Sequence, residues 1–61
     1  MPILKIEMFA GRTPEQKAEF AKEVTQLATR VLRCPAETVD VIFVDIATAD
    51  WAHGGKLYCS D

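Results

Sequence analysis

Residues 11–17, GRTPEQK, mark where a strand gives way to a helix. Thr13 suits an N-cap, Pro14 suits the first helical position, and Gln16 completes a T-x-x-Q capping box. Downstream, Ala21, Val24, Leu27, Ala28, Val31 and Leu32 recur with a 3.6-residue period and form one apolar stripe. Glu15, Lys17, Glu19, Lys22, Glu23 and Arg30 fall largely outside that stripe. The spacing predicts a helix from about Pro14 to Leu32 or Arg33, stopped by Pro35, because the residue before a proline is pushed out of helical geometry.

Working outward, residues 3–9, ILKIEMF, read as a strand with two unlike faces. Leu4, Ile6 and Met8 fall on one side, and Ile3, Lys5, Glu7 and Phe9 on the other. Residues 39–46, VDVIFVDI, read as a second strand, apolar on both faces apart from Asp40 and Asp45. A strand apolar on both sides calls for something packed against each. Strand, helix and strand make a right-handed β-α-β crossover, so the two strands are expected to be parallel. The tail, ATADWAHGGKLYCSD, carries a Gly54-Gly55 turn before the short run KLYC, which suggests a small hairpin. The expected fold class is α/β (α+β): one β-α-β unit with a short C-terminal hairpin, residues 1–61 forming a single domain.

Size sets the next constraint. A 61-residue chain with 49% hydrophobic residues and a net charge of −2 is globular rather than disordered. At this length folding hides only about 60% of the unfolded surface, so an isolated domain is marginal. Two cysteines, Cys34 and Cys59, allow at most one bridge, and no secretory signal precedes them. His53 is the sole histidine and no CxxC pair exists, which argues against a metal site. Partner subunits remain as the stabilising device. A two-stranded sheet with one helix leaves a face of the second strand bare. Two chains pairing into a four-stranded sheet, followed by stacking of such dimers, would cover it. No Lys/Arg cluster supports nucleic acid, no apolar run is long enough to cross a bilayer, and a reduced cytoplasmic setting is expected.

Pro2 follows Met1 directly. Its bland role is that of a proline tolerated at the first residue of a strand. Its chemical role requires loss of Met1, which leaves a secondary amine at the terminus. An α-amine ionises near pKa 7.7–8.0, and burial beside apolar walls or a neighbouring cation lowers that value further. A base with a pKa near the working pH moves protons efficiently. Arg12 lies just before the helix start, where the macrodipole disfavours a cation by a few tenths of a kcal/mol. It is either a solvated loop residue or a carboxylate fork beside helix amides. Trp51 is either core packing or a pocket wall with an N–H donor, and Phe9 is a weaker wall candidate. His53 reads as solvated or bonded to backbone. Cys34 sits where the helix dipole disfavours a thiolate, and Cys59 has no assigned role.

Met-Pro, a short strand, GR-x-x-E-Q-K at Gly11 to Lys17, an amphipathic helix, an apolar second strand and W-x-H-G-G at Trp51 to Gly55 follow one another in order. This pattern resembles the 4-oxalocrotonate tautomerase family over essentially the whole chain. The resemblance implies removal of Met1, Pro2 as general acid/base, Arg12 on a substrate carboxylate, and Trp51 in the pocket wall. It also implies hexamers built as a trimer of dimers. The implied reaction is keto-enol tautomerisation of a small 2-hydroxydienoate-type carboxylate, with no cofactor.

The chain departs from the family at Asp40, where tautomerase members carry a second arginine, and it lacks the basic tail of some relatives. An anion near Pro2 would raise the amine pKa and favour its protonated form. Other branches of the superfamily pair the terminal proline with a carboxylate to hydrate haloacrylates or decarboxylate a semialdehyde. Asp40 is thus either an acid/base modulator of such a hydratase, dehalogenase or decarboxylase, or a surface residue paired with Lys5, Arg30 or Arg33. Asp50 is a second carboxylate suited to orienting water. A hetero-hexamer with a second chain donating the missing arginine, and a non-enzymatic oligomeric module, are the remaining alternatives.

Overall fold

A computed structural model describes residues 2–58. Met1 and Cys59 lie outside these residues. Strand β1 (Ile3–Phe9) leads into helix α1 (Pro14–Leu32), then a 3-10 turn at Ala36–Thr38 and strand β2 (Asp40–Ile46). A second 3-10 turn at Thr48–Asp50 precedes β3 (Ala52–His53) and β4 (Lys56–Leu57). β1 and β2 pair in parallel, from Ile3 opposite Asp40 to Phe9 opposite Ile46, as a β-α-β crossover demands. β3 and β4 form a separate antiparallel hairpin. Gly54 (φ 61°) and Gly55 (φ 85°) both lie in the left-handed region, which a two-residue hairpin turn of the primed type requires.

The capping box forms as expected. Thr13 Oγ1 accepts from the Gln16 amide at 3.1 Å, and Gln16 Oε1 accepts from the Thr13 amide at 3.0 Å. The helix ends at Leu32, within the bounds expected from the sequence, but its last turn is closed by a cap the sequence does not suggest. Arg33 adopts the left-handed conformation (φ 60°, ψ 47°) and donates its amide to Thr29 O, closing the helix two residues before Pro35. Glycine usually fills such a position, and a non-glycine residue is uncommon there.

In-register parallel pairing puts opposed residues on one face of the sheet. Leu4, Ile6 and Met8 share the helix side with Val41, Phe43 and Asp45. Ala28, on the helix stripe, is the one buried residue, 7% exposed, among those described. Phe20, outside the expected stripe, meets Phe43 edge to face at 6.1 Å. Lys17 also departs from expectation: it spans the Phe43 ring and pairs with Asp45 at 2.6 Å. Its ammonium lies over the ring, 5.9 Å from the centroid, within cation–π range. Among the described residues, no helix covers the other sheet face, which is most open at its Ile3 end. Ile3 is 62% exposed, and on the helix Val31 and Leu32 are 58% and 60% exposed. Burying the exposed remainder of about five such side chains is worth on the order of 5 kcal/mol.

Candidate active site

Pro2 enters the sheet ladder by its carbonyl, which accepts the Asp40 amide at 3.0 Å. The residue opens onto a recess of about 440 Å³ between β1 and α1, with Leu4, Val24, Leu27, Ala28 and Val31 among its walls. These walls are hydrocarbon, a surface that cannot solvate an ammonium. Asp40 is bound to Pro2 through its backbone, but its side chain belongs to the opposite face, with Ile3 and Ile42. The carboxylate is exposed, and among the described residues it makes no ion pair with Lys5, Arg30, Arg33 or any other cation.

Arg12 stands beyond the other end of β1. Gly11, at φ 127°, makes the turn from strand to helix in a conformation that side chains rarely adopt. Arg12 then borders a cleft of about 270 Å³ on the helix side, together with Ile6, Met8, Gln16, Lys17 and Phe43. Gln16 is engaged in the capping box and Lys17 is neutralised by Asp45. Arg12 makes no ion pair among the described residues, so its guanidinium is the free cation of this cleft. The Lys17–Asp45 pair is itself partly solvated, at 26% and 40% exposure, and such pairs contribute about 0–1 kcal/mol.

Phe9 and Trp51 meet at the same end of β1, their ring centroids 4.3 Å apart. Phe9 follows Ile3, Lys5 and Glu7 on the open sheet face, the side away from the Arg12 cleft. Tyr58 joins them, 5.1 Å from Phe9 and 6.0 Å from Trp51. The sequence reading passed over Tyr58, although a signal existed: a hairpin centred on Gly54-Gly55 pairs 53 with 56, 52 with 57 and hence 51 with 58. The Tyr58 amide donates to Trp51 O at 2.9 Å, continuing that ladder one step.

One chain therefore brings Phe9 to Trp51 and Pro2 to the Asp40 backbone, but it does not bring the two groups together. β1 alone, seven residues at about 3.3 Å each, separates Pro2 from Arg12 by about 23 Å. Cys34 is half-buried, its Sγ 3.9 Å from Ala28 O, and His53 and Asp50 are exposed. No cluster of three metal-ligating side chains occurs among the described residues, and no helix there is long and apolar enough to cross a membrane.

The same architecture and sequence recur in known proteins. A family model described as "Tautomerase enzyme" matches residues 2–58. A probable tautomerase of Streptococcus agalactiae is 39% identical over 57 residues, covering 93% of this chain and 95% of that protein. A crystal structure of a 4-oxalocrotonate tautomerase homologue superposes with a TM-score of 0.93 at 38% identity, covering 100% of this chain and 97% of its own. A heterohexamer 4-oxalocrotonate tautomerase from Chloroflexus aurantiacus gives a TM-score of 0.85 at 33% identity, covering 95% and 94%. With the β-α-β unit, the hairpin and the full span of the chain in common, this protein belongs to the tautomerase family.

Proposed function

We propose that this chain is one subunit of a tautomerase that moves a proton between oxygen and carbon of a small 2-hydroxydienoate-type carboxylate. The Pro2 amine, freed by loss of Met1, is the general acid/base. The carrying observation is the hydrocarbon recess at Pro2, which favours the neutral amine. The neutral amine accepts the enol O–H proton and returns it to the far carbon of the dienolate, so no redox partner or cofactor is consumed. Arg12 binds a substrate carboxylate, and its charge stabilises the dienolate as it develops. Phe9 and Trp51 wall the pocket and limit water at the amine.

The length of β1 supports a site built from more than one chain, with Arg12 of a neighbouring subunit facing Pro2. The uncovered sheet face and the exposed Val31 and Leu32 support the same assembly. We take it to be a hexamer of paired chains in a cytoplasmic setting. The heterohexameric relative makes a second chain, supplying a cation opposite Asp40, the alternative to six identical subunits.

A second reading draws on the Asp40 amide bonded to the Pro2 carbonyl. That bond sets a carboxylate-bearing residue beside the amine, which would raise its pKa and suit a hydratase, dehalogenase or decarboxylase using protonated proline. A nitrogen-15 NMR titration of Pro2 in assembled protein lacking Met1 separates the two. A midpoint below the ordinary terminal-amine range of about 7.7–8.0 is expected, and a midpoint above it sinks the base mechanism. Asp40→Asn should then leave the midpoint nearly unchanged. A clear fall would establish Asp40 as the controlling charge.

A further inference from the structure

Among the described residues, the C-terminal hairpin shares no backbone ladder with β1 or β2, and β3 and β4 pair with each other. Its link to β1 is a closed triangle of rings. Phe9 and Trp51 are tilted by 50° at 4.3 Å, while Tyr58 stands edge-on to both, at 76° and 83°. Edge-to-face contact is the favoured geometry for aromatic pairs because the positive ring edge meets the negative ring face. His53 adds a tilted contact to Tyr58 at 6.2 Å. The Tyr58 backbone amide is also hydrogen-bonded to Trp51 O at 2.9 Å, which keeps the two residues opposite one another across the hairpin.

Tyr58 is nevertheless 49% exposed, which makes it a poor contributor to core burial. Its contacts are with the rings assigned to the pocket wall. We propose that Tyr58 is a positioning residue: its ring, set edge-on against Phe9 and Trp51, holds the indole of Trp51 in one orientation and so determines how tightly the apolar part of the substrate is gripped. This rests on the pocket-wall role of Trp51 proposed above. The hydroxyl takes no part, because both ring contacts are made by the aromatic body that phenylalanine shares.

The chain contains one tryptophan, so the indole reports on itself. The test compares Tyr58→Phe, Tyr58→Leu and Tyr58→Ala in the assembled protein, with oligomer size checked by sedimentation. Trp51 emission and anisotropy are recorded, and KM and kcat are measured with a 2-hydroxydienoate. Tyr58→Ala and Tyr58→Leu should red-shift the emission, lower the anisotropy and raise KM about two- to tenfold, the range aromatic pair contacts support, with kcat little changed. Tyr58→Phe should restore both readouts. The proposal is overturned by unchanged emission in the leucine and alanine variants. It is also overturned by kcat falling as far as KM rises, or by Tyr58→Phe behaving like Tyr58→Ala. Tyr58→Leu preserves bulk and keeps the test decisive if the alanine variant fails to assemble. If wild-type protein does not turn over the substrate, the proposed reaction falls and the fluorescence comparison alone judges Tyr58.

Discussion

The two ends of β1 are built from opposite materials. At its start, Pro2 faces hydrocarbon, and Asp40, bonded to it through the backbone, turns its side chain to the other face. At its finish, Arg12 stands unpaired beside a capped helix while Phe9, Trp51 and Tyr58 stack across the sheet. One end offers apolar surface, and the other offers a free cation on the helix face and an aromatic cluster on the opposite face. On the function proposed above, a seven-residue strand keeps the two ends apart, and proton transfer and substrate binding would meet where the start of one chain approaches the finish of another.

The contrast can be broken first at the amine. Pro2→Ala, assayed in an oligomer of unchanged size, should lower kcat about a hundredfold or more, the contribution expected of a general acid/base. Activity within a few-fold of wild type would remove Pro2 from the chemistry. Changes at the helix end should be smaller and felt through stability. Thr13→Ala deletes half of the capping box that orders the chain just after Arg12, and denaturant unfolding should show a loss of about 1 kcal/mol. The smallest effect concerns Glu19. Its hydrogen bond to Glu23, and then the charge of Glu23, hold its carboxyl above the ordinary glutamate value. A raised carboxyl pKa means that the folded helix binds the proton more tightly. This contribution is therefore present at acid pH and lost as pH rises through the raised value. Glu19→Gln should flatten the stability-pH profile there slightly, and an unchanged profile would dismiss the pair.

Much of this was legible because local signals agreed. Thr13, Pro14 and Gln16 announced the helix start, and the alternation in ILKIEMF announced which side of β1 the helix covers. The end of the helix was also legible, but its cap was not, because Arg33 takes a left-handed conformation usually reserved for glycine. Lys17 and Phe20 were assigned no partners, since helical periodicity sorts residues by polarity. It does not foresee a lysine ammonium set over Phe43 and paired with Asp45. At the candidate site, Pro2, Arg12 and Trp51 stood out by type and position. Their distribution over two ends and two faces of the sheet did not, because it depends on strand length and register together. Tyr58 was missed for a simpler reason: its partner across the Gly54-Gly55 turn becomes evident only when residues are counted outward from the turn.

Mixed assembly of two impaired variants tests the shared-site claim most directly. Arg12→Ala alone should lower kcat/KM about ten- to a hundredfold, as expected for loss of a charged hydrogen-bonding partner. Pro2→Ala and Arg12→Ala proteins are dissociated, combined and reassembled, and native mass spectrometry establishes that mixed oligomers have formed. If Pro2 of one chain works with Arg12 of another, mixing creates sites with both residues intact and should recover a substantial fraction of wild-type activity. Mixed oligomers no more active than their parents would contradict a site shared between chains.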